Sequence, residues 1–460
     1  MKELFPDILS RIPDYQTFLT PDELDQSSRE LAARYPGRVR LLTIGKTKNG
    51  HDLLCLKIGE GSRNALLFGC PHPNEPIGTM MLEYFSRELA ENEALLEAAD
   101  YTWYIVKAWD RDGLEKNEGW LKGPFDIYHY SRYFFRPAGH QQVDWTFPID
   151  YKNYHFDKIL PESQAMKDLI DEIRPEFIYS LHNAGFGGVY WYVTHPLEEE
   201  TYAAMRKAAD KNEVPLNLGE PEVPYLKMLA PAVYPCLSIR ADYDYLETYS
   251  GKDPAEHMFC GDCSAAYAQD RYDSFTLLTE LPYFFDPRIA DLSESERTRR
   301  DVMLERIEAS EAQSAYIRSI LKKTEGLTAK NSQFRMALEA FSREDLEDGT
   351  RGIIEKDPDF ARKATVAEVF DSLILSPFYK SLSYGMAIRL CEEALDKKDK
   401  TEDERKLLSS IRSEANQEHR KLCEKLEASL NYEVVPIRRL IAIQLECGLQ
   451  VIDELRRKRG

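Results

Sequence analysis

The sequence predicts an α/β fold, with a mixed central sheet flanked by helices over residues 1–290, followed by an all-helical region over 291–460. Three observations carry this expectation. Up to about residue 290, short apolar runs rich in aromatic and β-branched residues alternate with helical patterns. Beyond that point apolar residues recur only at helical spacing. Finally, 460 residues, 43% of them hydrophobic, are enough to build two ordinary cores.

The predicted strands are LLCLKI (53–58), NALLFGC (64–70), YTWYIVKAW (101–109), EFIYSLH (176–182), VYWYVTH (189–195) and SFTLLTEL (274–281), each bounded by Gly, Pro or Asn. Between them lie helical patterns. One opens with Pro76 at a first-turn position and runs through Met80, Met81, Tyr84, Phe85 and Leu89. Others cover 163–172 and 197–211.

After residue 290, Ser293 and Glu296 read as a capping box ahead of a helix carrying Met303, Ile307, Ile317 and Leu321. Thr401 and Glu404 repeat that signature before a helix with Leu422, Leu426 and Leu430 at steps of four. Leu382, Met386 and Leu390 mark a further helix, and IRRLIAIQLECGLQVIDEL closes the chain. These stripes read as core-facing packing of a helical bundle. No internal repeat or low-complexity linker separates the two regions.

Composition narrows the function. A net charge of −19 argues against nucleic acid, which needs clustered cations, and against docking on anionic membranes. The opening MKELFPDILSRIPDYQTF lacks the apolar core of a signal peptide, so the expected location is the cytoplasm. No stretch nears the roughly 18 uninterrupted apolar residues of a membrane span. The eight scattered cysteines suit reduced, mostly buried thiols. Cys260 and Cys263 form a CxxC, but no second pair at zinc-site spacing follows.

The segment LLFGCPHPNEPIGTMM (66–81) carries the most chemistry. His72 and Glu75 stand three apart where a strand gives way to a helix, so that an imidazole and a carboxylate can converge on one cation. Taken alone, the pair reads more readily as a helix cap. His182 ends a strand run beside a Gly-rich loop and is placed to complete a His-Glu-His set for zinc. Glu280 is the one carboxylate in the apolar run SFTLLTELPYF. Within reach of a metal-activated water it would serve as general base; otherwise it would pair with a cation or face solvent.

In this order the segments resemble the zinc carboxypeptidases, also called funnelins. YQTFLTPDELDQSSRELAARYPGRVRLLTIGKTKNGHDLLCLKI is similar to that family's opening helix, strand and turn, with Lys46 and Asn49-Gly50 in the turn. HPNE matches its HxxE motif, His182 its third ligand, TELPYF the strand bearing its catalytic glutamate, and GDCSAAYA (261–268) its specificity-pocket segment. The resemblance runs over roughly residues 14–290. It implies a carboxypeptidase-like catalytic domain at 1–290 and one Zn2+ per chain held by His72, Glu75 and His182. It also implies Glu280 as acid/base and hydrolysis of a peptide or small amide.

The chain departs from the family at the substrate clamp. Asp144 and Trp145, in QVDWTFP (142–148), stand where Asn and Arg grip a terminal carboxylate. A carboxylate there repels an anion and prefers a cation, so the expected substrate carries an amine, amide or other uncharged or cationic group. The alternative is that Trp145 and Phe147 are core residues and Asp144 a turn former. The pocket-floor position falls on Ala265, which brings no charge. The substrate-covering tyrosine falls on Met258, with Tyr243, Tyr245 and Tyr249 nearby. The arginine that polarises the scissile carbonyl is either Arg132 or Arg136, and Arg136 is preferred for its closeness to the Asp144 stretch. Two other readings stay open. PHPNEPIGT also resembles the motif of succinylglutamate desuccinylases and aspartoacylases, and the lost clamp leaves room for a metal-binding but catalytically silent interaction protein.

Overall fold

The computed structural model describes residues 1–343 and 346–459. Helix α1 (Pro21–Arg34) leads into β1 (Val39–Lys46), β2 (Asp52–Ile58) and β3 (Arg63–Gly69). Helix α2 (Ile77–Glu91), strand β4 (Tyr101–Val106), helix α3 (Ile127–Tyr133) and helix α4 (Pro161–Ile173) follow. Next come β5 (Phe177–Phe186), β6 (Tyr190–Val193), α5 (Glu199–Lys211), β7 (Val233–Pro235), α6 (Ile239–Tyr249), α7 (Ser264–Tyr272) and β8 (Phe275–Phe285).

The sheet order is β1-β2-β4-β3-β5-β8-β6-β7. Its centre is parallel, with β3 between β4 and β5 and β8 beside β5, while β1, β2 and β6 pair antiparallel to neighbours. The chain leaves β3 towards β4 on one side and returns to β5 on the other. That reversal opens a crevice at the carboxyl ends of β3 and β5, where open α/β sheets place their ligands. The central strands read as continuous apolar runs because both faces are covered.

Helix α2 approaches the sheet closely enough that only glycine fits at the contact. A Cβ on Gly78 would stand 2.5 Å from Leu181 Cβ, and one on Gly69 would stand 2.7 Å from Gly78 backbone. The helix start is therefore pressed against the ends of the strands that carry the candidate site.

In the later region, β9 (Glu294–Thr298) pairs with β10 (Lys363–Thr365). Helix α8 (Arg299–Lys323) and helix α9 (Gln333–Phe341) come before β10 in the chain. Helix α10 (Ser376–Leu395), helix α11 (Glu402–Ser429), β11 (Glu433–Val434) and α12 (Ile437–Lys458) complete the chain. The region is helical as expected, with three short strands between its helices. One expectation is corrected here. Ser293 and Glu296 cap no helix; that stretch is extended, and Thr298 caps α8 instead, accepting the Asp301 amide. The spacing alone could not exclude the strand, because a capping pair is satisfied only if the next turn is helical. At Thr401 and Glu404 the capping box is present.

The helices after residue 290 pack directly on the sheet region. Strand β11 pairs with β8, and the Arg389 guanidinium, half-buried, donates to the carbonyls of Lys116 and Tyr133. Deep in the packing, the Tyr179 hydroxyl of β5 donates to the Gln444 carbonyl of α12 at 2.6 Å. Among the described residues no helix is long and apolar enough to cross a membrane, and all eight cysteines are free thiols.

Candidate metal centre

His72 and Glu75 lie on the turn between β3 and α2, and His182 lies just past the middle of β5. The turn is held from several sides. Cys70 adopts a left-handed φ of 54°, the Ile77 amide donates to Asn183 Oδ1 at 3.1 Å, and the Tyr283 hydroxyl bridges the Asn74 carbonyl and Asn183 Oδ1. One donor atom from each of His72, Glu75 and His182 lies within 4.8 Å of the others, and all three side chains are buried. His72 Nδ1 is 3.0 Å from Glu75 Oε1, and His182 Nδ1 is 2.9 Å from Glu75 Oε2.

These donors fit a zinc ion. Two imidazoles and a carboxylate are the mixed nitrogen and oxygen set that zinc takes at catalytic sites. His182 Nε2 meets Ser180 Oγ at 2.7 Å, which orients the ring as a supporting contact should and leaves Nδ1 facing Glu75. Burial, reinforced by Arg136, pushes the His72 imidazole down to about 3, so the ring stays neutral and able to ligate. Burial works against ionisation of Glu75, but the two imidazoles hold its carboxyl well below the usual range. A second triplet, His51, Asp112 and Glu115, also clusters within 4.8 Å. Its members are satisfied by neighbours: Asp112 accepts from the Asn49 amide and lies 2.7 Å from His51 Nδ1, and Glu115 pairs with Arg111.

Glu280 reaches the same centre from β8. Its backbone is in register with His182 on the parallel neighbour and with Tyr190 on the antiparallel one. The Glu280 carboxylate lies 3.6 Å from His182 Nδ1, and its other oxygen is buried without a partner. Burial, followed by the carboxylates of Glu75 and Glu222, pushes this carboxyl well above its ordinary range. A buried carboxyl raised in this way beside a candidate metal site is a candidate proton carrier.

The two arginines part company. Arg136 enters the centre, donating to Glu75 Oε1 at 3.1 Å and to Gln142 Oε1 at 3.1 Å; Gln142 is itself anchored on the Pro137 carbonyl. Arg132 turns away to Glu392 of α10 at 2.6 Å and does not line the cavity. They are four positions apart, and because the helix ends at Tyr133 between them, one turns towards the centre and the other towards the helical region.

The centre opens into a cavity of about 1500 Å³. Asp144, Trp145, Met258 and Ala265 line it, as does Tyr245, whereas Tyr243 and Tyr249 do not. Asp144 is buried and accepts the Ser264 amide at 2.9 Å. Sequence reasoning missed several lining residues. Tyr190 and Tyr192 alternate along β6 and so share a face, a signal legible in VYWYV. Asp242 and the walls formed by Met303, Met336, Tyr379 and Met386 from the helical region had no such signal. Tyr379 holds the last residues of β5, donating to the Ala184 and Phe186 carbonyls.

Fold and centre together define a class: an α/β protein that gathers a His-Glu-His set, a buried carboxylic acid and an arginine at the carboxyl ends of its strands. Residues 24–217 match the family model described as zinc carboxypeptidase, so the chain is carboxypeptidase-like over that span. The match includes His72, Glu75, Arg136, Asp144 and His182 and ends before Glu280. Similar solved structures include a metallo-carboxypeptidase from Burkholderia cenocepacia, at 14% identity over 57% of this chain and 59% of that chain with a TM-score of 0.36. Carboxypeptidase A from Helicoverpa armigera has 14% identity over 61% and 70% of the two chains, with a TM-score of 0.39. Bovine thrombin-activatable fibrinolysis inhibitor has 14% identity over 57% and 86%, with a TM-score of 0.37. The chain thus spans less than two thirds of the first of these. No curated protein matches it.

Proposed function

We propose that this protein is a zinc-dependent hydrolase of carboxypeptidase type, cleaving a peptide or amide bond. The observation that carries the reading is the convergence of His72, Glu75 and His182 with Glu280 in register beside them. A zinc ion held by those three side chains would act as a Lewis acid and lower the pKa of a water at the open position.

The remaining roles belong to the chain. Glu280 takes a proton from the attacking water and returns it to the leaving nitrogen, a transfer for which a raised carboxyl pKa is suited. Arg136 donates N–H groups to the carbonyl oxygen as negative charge develops there. Gln142 holds that guanidinium towards the centre. Ser180 and the turn around Asn183 keep the His182 and Glu75 side chains in place.

The proposed substrate is a peptide or small amide, and the proposed setting is the cytoplasm. The net charge of −19 supports neither nucleic acid nor an anionic membrane as a partner. The test is to load the purified full chain with zinc and offer it a mixed library of free-carboxylate and C-terminally amidated peptides, read by mass spectrometry. Zinc-dependent cleavage that chelation abolishes is the expected result. Stoichiometric zinc binding with no cleavage of any library member would count against hydrolysis.

A further inference from the structure

The cavity lining includes acidic side chains that the hydrolytic roles do not use, on a wall that elsewhere also carries Arg299, Arg306, Arg343 and Lys380. Asp144 and Asp242 both line it, and neither has an ion-pair partner among the described residues. Asp144 accepts the Ser264 amide, and Asp242 accepts the Tyr225 hydroxyl. Behind them, buried Asp262 accepts the amides of Ile239 and Cys263, which joins the start of α6 to the start of α7. The nearest arginine along α6, Arg240, is engaged with Asp270. Burial pushes the Asp144 carboxyl up and those of Asp242 and Asp262 to about 6.

A second observation points to a ligand. The Tyr192 hydroxyl is buried, lines the same cavity and has no hydrogen-bond partner. Its strand neighbour Tyr190 has one, donating to Glu222 at 2.6 Å. Buried carboxylates without a cation are costly, and an orphaned phenol adds to that cost unless something in the cavity answers both.

Resting on the hydrolase reading, we propose that Asp144 and Asp242 form an acidic subsite that takes an alkylammonium or guanidinium group of the substrate, with the Tyr192 oxygen accepting one of its N–H groups. Substrates would then be recognised by a cation and not by a free carboxylate. Ala265 leaves room there without adding charge.

The test is calorimetric titration of the full chain, with and without zinc, using n-butylguanidinium, n-butylammonium and n-butyrate. The cations should bind and butyrate should not. Asp144→Asn and Asp242→Asn should each weaken cation binding by about tenfold or more, the scale on which a partly desolvated charge discriminates. Asparagine keeps an acceptor for the Ser264 amide and the Tyr225 hydroxyl, so both variants should melt like the parent. Tyr192→Phe should weaken binding without altering zinc content. Butyrate binding as tight as that of the cations, or cation binding unchanged in both Asp variants, would overturn the subsite. Zinc-dependent turnover with no cation binding would refute the subsite alone. Cation binding without turnover would support it and count against the hydrolase reading.

Discussion

Glu280 and His182 stand opposite one another on adjacent parallel strands, and the Glu280 carboxylate lies 3.6 Å from His182 Nδ1. Parallel pairing delivers both side chains to the same end of the sheet, so a candidate ligand and a candidate acid/base share one centre without any contribution from loops.

Removing His182 tests the ligand set. His182→Ala should lose zinc, and elemental analysis after dialysis should show well under one ion per chain. Zinc at full stoichiometry in this variant would rule out the assignment of His182.

Glu280→Gln keeps the shape of the side chain but cannot shuttle a proton. Zinc content should be unchanged, and turnover should fall by about a hundredfold or more, within the range of general acid-base catalysis. Near-parental turnover would remove Glu280 from the mechanism.

Arg136 and Arg132 should separate cleanly. Arg136→Ala should cost turnover by about a hundredfold, as loss of one oxyanion donor does elsewhere. Arg132→Ala should leave turnover near that of the parent and lower stability on the order of 1 kcal/mol, through loss of the Glu392 pair. The reverse ranking, read from kcat and thermal melts together, would exchange their roles.

Gly78 is where packing and centre meet. Gly78→Ala forces a methyl to within 2.5 Å of Leu181 Cβ, next to His182. Overpacking should destabilise the fold by about 1–3 kcal/mol, and zinc affinity should drop with it. A variant as stable as the parent, with unchanged affinity, would show that α2 relaxes away freely.

Stability should also depend on pH through His419, which is fully buried where α11 meets α3, with its Nε2 2.7 Å from Ser131 Oγ. Burial, helped by Arg132, lowers its pKa from 6.5 to about 4. The folded chain therefore resists a proton that the unfolded chain takes up. Stability present above pH 6.5 should fall as pH drops towards about 4, by at most about 3 kcal/mol, and this contribution should level off below that. Denaturant titrations of the parent and of His419→Leu check this. An identical pH slope in the two proteins over that window would exclude His419 as the source.

Much of this protein is decided locally, and so the sequence by itself determined it. Alternating and continuous apolar runs specify strands because the side-chain period is two, and the central strands fall within a few residues of their predicted spans. His72, Glu75, His182 and Glu280 could be singled out because each sits where an apolar run meets a turn or interrupts itself with one charge. What only the tertiary structure decided concerns direction and distant company. Nothing in the residues 132–136 says which arginine faces inwards; the answer depends on Glu392, some 260 positions away. The capping pair at Ser293 and Glu296 is overridden because that stretch finds a strand partner in Lys363–Thr365. Asp242 and Tyr192 join Asp144 around one cavity, and the helices after residue 290 supply its far wall, through contacts between segments far apart in the chain. Such contacts leave no periodic trace in sequence, because they are set by how the elements pack and not by the local preferences that form them.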